Sequence, residues 1–301
     1  MGRATTSVLP ADRPKWTAYL ELTKPITWFP PMWAFGCGVV STGQSLPERW
    51  PFALAGILLA GPLVCGASQI VNDWFDREVD AINEPQRPVP SGRVPGRQAL
   101  YFALVWSALS LLVASVLGVW VFVATVVGVA LAWAYSAPPF RLKQNGWWGN
   151  AAVGLCYEGL PWFTAAAAIL GGLPPLPIIL LALLYSVGAH GIMTLNDFKA
   201  IEGDKKLGIR SLPVQLGADR AAQVACGVML IPQLVVIGLL LNWQLTIAAA
   251  VVSALAVIQA AMMLRFLGAP VERATWYSAL GVTLYVLGML ASAIAVRGLT
   301  L

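Results

Sequence analysis

The stretch from Phe52 to Asp80, FALAGILLAGPLVCGASQIVNDWFDREVD, decides the fold. Its first twenty residues, Phe52 to Val71, carry no charge. That is the ~20 apolar residues a helix needs to cross ~30 Å of hydrocarbon. The next nine, Asn72 to Asp80, hold three aspartates, a glutamate and an arginine. An apolar run that ends in an acidic cluster reads as a membrane span delivering carboxylates to the interface. Eight further stretches are apolar enough for the same reading, giving nine spans near 25–42, 52–72, 99–117, 118–135, 148–169, 175–196, 220–241, 244–266 and 275–296. Spans 3 and 4 meet at Gly118. The chain of 301 residues is 58% hydrophobic and 11% charged, with a mean hydropathy of +0.73. A soluble domain carries about a quarter charged residues, so the composition excludes an ordinary soluble enzyme. The expected class is all-α, a polytopic membrane protein forming one domain over 1–301.

Charge fixes the orientation. With nine spans, the N-terminus and the loops after spans 2, 4, 6 and 8 share one side. Of the 19 Lys and Arg residues, all but Arg49 and Arg297 fall there. The positive-inside rule places that side in the cytoplasm and the C-terminus opposite. The first fifteen residues hold Arg3, Arg13 and Lys15 and no apolar run, unlike a cleaved secretory signal, and they are short for a transit peptide. The short N-terminus favours a bacterial protein, so a bacterial inner membrane is the expected location. Cys37, Cys65, Cys156 and Cys226 all fall inside spans and read as small apolar packing residues. The net charge of +5 has no basic stripe with interleaved aromatics, so membrane lipid and an anionic substrate are the expected partners, and nucleic acid is not.

The acidic cluster recurs. Asn72-Asp73-Trp74-Phe75-Asp76-Arg77-Glu78-Val79-Asp80 is followed by Arg87-Pro88-Val89-Pro90-Ser91-Gly92. Asn196-Asp197-Phe198-Lys199-Ala200-Ile201-Glu202-Gly203-Asp204 is followed by Arg210-Ser211-Leu212-Pro213-Val214. Each begins Asn-Asp and has an Asp eight positions after the Asn. Each follows an even-numbered span, four spans apart, so the halves read as parallel pseudo-repeats with motifs at 72–92 and 196–214.

Helical spacing states what these clusters can do. At ~100° per residue, Asn72, Asp73, Asp76 and Asp80 share one sector of ~100°. Asp197 and Asp204 fall within ~20° of each other on a continuous helix. Several carboxylates on one face repel, and at a membrane edge they are costly. A hard, oxygen-loving cation compensates them. Magnesium is typically held by one or two carboxylates plus substrate phosphates, and the neighbouring Arg and Lys suit the same ligand, so the two clusters read as a Mg²⁺–diphosphate site. A run such as Asp-Arg-Glu-Val-Asp is more often a solvated loop face. Recurrence in one register, on one side, each time at the end of a span, argues against that here.

These motifs, with Leu22-Thr23-Lys24-Pro25 at the entry to span 1, resemble the signatures of the UbiA superfamily of intramembrane prenyltransferases. The resemblance covers the whole chain. NDWFDREVDAINEPQRPVPSG, YSAPPFRLKQNGWWGN and NDFKAIEGDKKLGIRSLPVQLG look like its chlorophyll and bacteriochlorophyll synthase branch, with Ala189-His190-Gly191-Ile192-Met193 more like the bacterial side. The resemblance implies nine helices around a central cavity open sideways to lipid and capped by the Asp clusters. It implies a geranylgeranyl or phytyl diphosphate and a chlorophyllide-type macrocycle, bacteriochlorophyllide a in the bacterial enzymes. Other branches often carry a further Asp at the place of Ala200. Here Asp197 and Asp204 must serve, with Glu202 ~140° away on an ideal helix.

The expected roles follow. Asn72, Asp73, Asp76, Asp80, Asp197 and Asp204 hold Mg²⁺ against the diphosphate, as two ions. Lys24, Arg87, Lys143, Lys199 and Arg210 neutralise the remaining charge. Tyr135 and Ser136 contact the diphosphate; the competing reading is interfacial anchoring beside a Pro-Pro turn. Glu158 and His190 are ionisable groups inside spans 5 and 6; Glu158 faces the macrocycle or hydrogen-bonds a neighbouring helix, and His190 is a ligand to the macrocycle's magnesium or a hydrogen-bonded interior histidine. Trp28, Trp33 and Trp162 either stack on a flat ring or pack in kinked helices. A propionate acceptor is already ionised at neutral pH and needs no general base, and the sequence offers none. Rival readings are a quinone-precursor or haem acceptor, a transporter and a pigment-binding protein. Transporter repeats are commonly inverted with midplane sites, whereas these are parallel with acidic ends.

Overall fold

The computed structural model describes residues 15–299. Arg3 and Arg13, which enter the orientation argument, lie outside that range, as does the C-terminal residue. Helices account for nearly all of it, and no strand occurs among the described residues. The elements are α1 (Lys15–Leu22), α2 (Phe29–Ser41), α3 (Trp50–Leu58), α4 (Gly66–Asn83), α5 (Gln98–Leu117), α6 (Val119–Ser136), α7 (Gly146–Gly154), α8 (Leu160–Leu170), α9 (Leu176–Asp197), α10 (Ile201–Leu207), α11 (Leu212–Leu216), α12 (Ala218–Asn242), α13 (Thr246–Leu267) and α14 (Pro270–Val296). Two wide π turns, Leu59–Cys65 and Leu155–Gly159, weld α3 to α4 and α7 to α8 into single long rods.

Eight helical segments are long and apolar enough to cross a membrane. They correspond to the second through ninth expected spans. The first expected span, 25–42, is shorter than the reading gave: a 3-10 turn at Pro25–Thr27 leads into α2, which has 13 residues. Pro25, Pro30 and Pro31 supply no backbone N–H, which confines them to helix starts, so the regular helix begins only at Phe29. Gly118 alone separates α5 from α6. Its φ of 125° is a backbone conformation that side chains rarely adopt, so a glycine is required for so short a join.

Contacts arrange the rods as a ring. α2 packs on α8 and α14, α4 on α5 and α6, α6 on α8, α7 and α14 on α9, and α12 on α9 and α13. Leucines and valines also cover the outside, as Leu104, Val105, Leu112 and Val116 do on α5. A helix apolar all round is one whose solvent is lipid or core. Polar side chains therefore act between helices rather than outside them. Gln233 on α12 donates to Gln259 on α13 at 2.9 Å, and Gln259 donates to the Tyr277 hydroxyl on α14 at 3.2 Å.

The largest core lies where α2, α8, α9 and α14 meet. Trp162 stacks on Tyr185 at 5.7 Å and donates to Ser41 at 3.2 Å. Tyr285 meets Tyr185 edge-on and donates to its carbonyl at 2.6 Å. Trp162 is wholly buried here, so it packs the core and does not stack on a bound ring. Without lipid-driven segregation, helices associate through close approach of small residues. Gly38 provides it: a Cβ there meets the Trp162 carbonyl oxygen at 2.3 Å and the Ala165 Cβ at 2.6 Å. Gly38→Val is expected to cost about 2 kcal/mol through overpacking, read as a lower melting temperature in detergent than that of the unmodified protein.

Candidate active site

The first motif sits on one continuous helix, as its spacing requires, because α4 carries on to Asn83. Asp73 is 2% exposed and Asp80 7% exposed. Carboxylates buried to that degree need partners, and each first-motif aspartate has one. Lys24, held in a left-handed backbone conformation after α1, donates to Asp73 at 2.6 Å. Arg87, beyond the end of α4, reaches Asp80 at 2.9 Å and Asp73 at 3.6 Å, and also pairs with Glu84. Lys143, on the loop between α6 and α7, pairs with Asp76, and Arg141 lies 3.9 Å from the same carboxylate. Asn72 donates to Asp76 at 3.0 Å and to Ser136 at 3.3 Å, which ties α4 to the end of α6.

Charge responds to this packing. Burial pulls the Lys143 ammonium below its usual range, and the Asp76 carboxylate opposes that pull. Burial also pulls on the Arg87 guanidinium, but Glu84, Asp80 and Asp73 outweigh it and hold the group above its ordinary value. Burial pushes the Asp204 carboxyl up.

The second motif is built differently from the expectation. α9 ends at Asp197, a turn covers Phe198–Ala200, and α10 starts at Ile201. Asp197 and Asp204 are therefore on two helices, and the ~20° separation of a continuous helix does not apply. Asn150 on α7 donates to Asp197 at 3.1 Å and to Thr194 at 3.2 Å. Neither Asp197 nor Asp204 has a basic partner among the described residues. Glu202 is exposed and 3.6 Å from Lys205, so it does not replace the missing Asp at Ala200.

Both motifs meet at one end of the bundle. The loop carrying Lys143 is joined to the segment after the second motif by backbone bonds, Arg210 N–H to the Gln144 carbonyl at 2.9 Å and Gly146 N–H to the Arg210 carbonyl at 2.8 Å. The Tyr135 hydroxyl lies within electrostatic reach of Asp76, Asp197 and Asp204 together. Beneath it opens a cavity of about 220 Å³ with Asn72, Gln69 and Tyr135 in its upper wall and Ala60, Val64 and Gly128 deeper.

Other expected site residues lie elsewhere. The side chains of Lys199 and Arg210 are exposed and form no ion pair among the described residues. Glu158, 7% exposed, is in the second π turn, within electrostatic reach of Cys37 and Tyr285. It does not line the cavity, and its Oε2 has no hydrogen-bond partner. His190, 8% exposed, lies against the Trp147 ring at 5.8 Å. Trp28 donates to the Thr23 carbonyl at 2.8 Å, and Trp33 stacks on Phe29 at 6.1 Å. Sequence reasoning missed Asn150, Gln69 and Tyr157. Gln69 and Cys65 both donate to the Tyr157 oxygen, at 3.3 and 3.6 Å, in the cavity wall. An Asn or Gln inside an apolar span was the available signal.

The donors fit a magnesium ion that arrives with a diphosphate. They are oxygens, and two of the carboxylates lack a basic partner. No three His, Cys, Asp or Glu side chains form a ready-made metal cluster among the described residues. Magnesium keeps several waters and takes much of its coordination from phosphate oxygens, so it does not require a complete protein cage.

A ring of apolar helices whose two acidic motifs close one end over a cavity defines a multi-pass membrane enzyme. The chain belongs to the UbiA prenyltransferase family, whose sequence profile matches residues 28–287. It is 57% identical over 293 residues, 97% of each chain, to the bacteriochlorophyll synthase 33 kDa chain of Cereibacter sphaeroides. To the chloroplastic chlorophyll synthase of Arabidopsis thaliana it is 40% identical over 93% of this chain and 75% of that one. The same fold occurs in a UbiA homolog from Archaeoglobus fulgidus bound to GPP and Mg²⁺, with a TM-score of 0.69 and 21% identity over 91% of this chain and 99% of that one.

Asn150 holds Asp197 together with the Leu212 backbone N–H. Removing a partner that fixes a ligating carboxylate typically costs 10–100-fold. Asn150→Ala is expected to lower the prenyl-transfer kcat by at least about tenfold while the protein remains folded by circular dichroism.

Proposed function

We propose that this enzyme transfers a geranylgeranyl or phytyl group from its diphosphate to the propionate carboxylate of bacteriochlorophyllide a, with Mg²⁺ as cofactor. The observation that carries the reading is that Asn72 of the first motif and Tyr135 line one cavity, with Asp76, Asp197 and Asp204 within electrostatic reach of the Tyr135 hydroxyl. The identity of 57% to a bacteriochlorophyll synthase, against 40% to a chlorophyll synthase, favours the bacterial macrocycle over chlorophyllide a.

Asn72, Asp73, Asp76, Asp80, Asp197 and Asp204 are the proposed oxygen donors for the metal, which when bound supplies charge stabilisation to the departing pyrophosphate. Lys143, Arg141, Arg87 and Lys24 stand against the same carboxylates and are placed to exchange them for phosphate oxygens. Tyr135 and Ser136 sit between the clusters, where their hydroxyls can donate to the diphosphate. Preorganised donors of this kind act where charge develops as the allylic C–O bond breaks. The apolar lower cavity receives the chain and keeps water from the cationic carbon. The propionate oxygen then forms the ester bond to C1, and the bonding pair of the broken C–O bond leaves with pyrophosphate. No proton has to be removed from the acceptor, because a carboxyl of ordinary pKa, ~4, is ionised at neutral pH.

The proposed setting is a bacterial inner or intracytoplasmic membrane, with the motif end in the cytoplasm and the chain acting as one catalytic domain of two parallel pseudo-repeats. Lys199, Arg210, Glu158 and His190 do not line the cavity, and they form no ion pair with the aspartates of either motif among the described residues. The test is ester formation from geranylgeranyl diphosphate and Mg²⁺ with bacteriochlorophyllide a or chlorophyllide a offered separately. Esterification of the first, abolished by EDTA and reduced at least ~100-fold by Asp76→Ala, is expected. Equal or preferential use of chlorophyllide a overturns the acceptor assignment, and use of neither macrocycle by folded protein overturns the reaction.

A further inference from the structure

Two cations meet on Asp73 from different segments. Lys24 Nζ donates to Asp73 Oδ1 at 2.6 Å, and Arg87 Nη1 lies 3.6 Å from the same oxygen. Neither is carried on a long helix. Lys24 follows α1, which has eight residues, and Arg87 lies in the loop between α4 and α5. Lys24 is also held at a φ of 43°, a left-handed backbone that persists only where the surroundings fix it. Contacts outside the site must therefore keep α1 and that loop in place.

α1 is seated by a narrow apolar stripe. Ala18 and Leu22 are buried in one cluster with Ile70, Val71 and Val94. Two residues four apart make a line about which so short a helix can roll. Polar side chains block the roll from both sides. At ~100° per residue, Tyr19 and Glu21 lie ~80° to either side of the stripe. The Tyr19 hydroxyl donates to Gln98 Oε1 at 2.6 Å. On the other side Arg93 grips Glu21 with two prongs, Nη1 to Oε2 at 2.6 Å and Nη2 to Oε1 at 2.8 Å.

The same guanidinium holds the loop. Arg93 Nη2 donates to the Gln86 carbonyl at 2.7 Å, and Nε donates to the Ser91 hydroxyl at 3.3 Å. Gln86 immediately precedes Arg87, and the Lys24 N–H donates to the Glu21 carbonyl at 3.1 Å. One side chain thus bonds to the residue next to one cation and to the residue whose backbone holds the other. Its own position is fixed by Val94, which is 1% exposed and whose N–H donates to the Pro88 carbonyl at 2.9 Å. Surface ion pairs ordinarily contribute little; a two-pronged arginine–carboxylate pair inside a network is the exception.

We infer that Arg93 is a positioning residue, a clamp that sets Lys24 and Arg87 together over Asp73 to receive the donor's diphosphate. The inference rests on the proposed prenyl transfer and assigns a residue to it that acts at one remove. Arg93 does not line the cavity, and its ion-pair partner is Glu21 rather than a motif aspartate. Loosening the clamp therefore affects how the diphosphate head is held and leaves the acceptor's binding alone.

The experiment measures ester formation with Mg²⁺ while geranylgeranyl diphosphate and bacteriochlorophyllide a are varied in turn, in protein shown to be folded by circular dichroism. Arg93→Met is expected to raise the KM for the diphosphate at least about fivefold and to leave the KM for the macrocycle in place. Inorganic pyrophosphate, the same head without a tail, is expected to lose potency as an inhibitor by the same factor. Arg93→Lys keeps the charge but not the fork, and is expected not to restore the donor KM. Glu21→Gln, the milder change, is expected to shift that KM the same way, and it decides the matter if Arg93→Met does not fold. Arg265→Met removes a cation that lies over Trp276 instead, and is expected to leave both KM values unchanged. An unaltered donor KM in folded Arg93→Met, an equal rise in both KM values, full recovery in Arg93→Lys, or the same rise in Arg265→Met overturns the clamp while the prenyl-transfer reading stands. No ester from the unmodified protein removes that reading, and the clamp with it.

Discussion

Three carboxylates on one helical face, at the edge of a low-dielectric slab, are the constraint on which the rest of the molecule depends. Left alone, Asp73, Asp76 and Asp80 would repel one another where water screens them least. The chain answers by bringing a cation to each from a different segment: Lys24 from before α2, Arg87 from after α4, and Lys143 from between α6 and α7. Each of those segments must fold back over the bundle end to do so. The same pairs that neutralise the resting site also fix the cap of the cavity. Asp197 and Asp204 have no basic partner among the described residues, so the two motifs differ in how their carboxylates are held.

Hydrocarbon makes such a fold legible. The apolar runs in the sequence had only one cheap conformation in lipid, and eight of the nine expected spans occur as long helices. The first motif was equally readable, because Asn72 to Asp80 lie on unbroken helix and ideal spacing applies. The second was not. Nothing in Phe198-Lys199-Ala200 forces a break by composition, yet the helix turns there, and an angle computed along it loses meaning. The partnerships Lys24 with Asp73 and Asn150 with Asp197 join residues 49 and 47 positions apart. No local periodicity encodes such pairs, so they needed the tertiary structure.

The π turns were also invisible to periodicity, and they shape the site. Each inserts a wider turn into an otherwise regular rod, Leu59–Cys65 before α4 and Leu155–Gly159 between α7 and α8. Such turns recur at functional positions because they shift the faces that follow. Here Cys65 from one and Tyr157 from the other meet across the cavity wall, with Gln69 completing the contact. Regular 3.6-residue winding through both places would present different side chains to the interior.

α2 runs for only 13 residues, ~20 Å of regular helix, beside neighbours long enough to span ~30 Å of hydrocarbon. Asp73 likewise sits ten residues, ~15 Å, short of the end of α4. The reacting end is thus sunk among the helices rather than mounted on top of them. For the proposed prenyl transfer, that depth lets a donor dissolved in the leaflet approach sideways, without lifting its tail into water. Encounter then becomes a two-dimensional event. The concentration that sets the speed of such an enzyme is a mole fraction in the membrane, and the bilayer acts as its substrate reservoir.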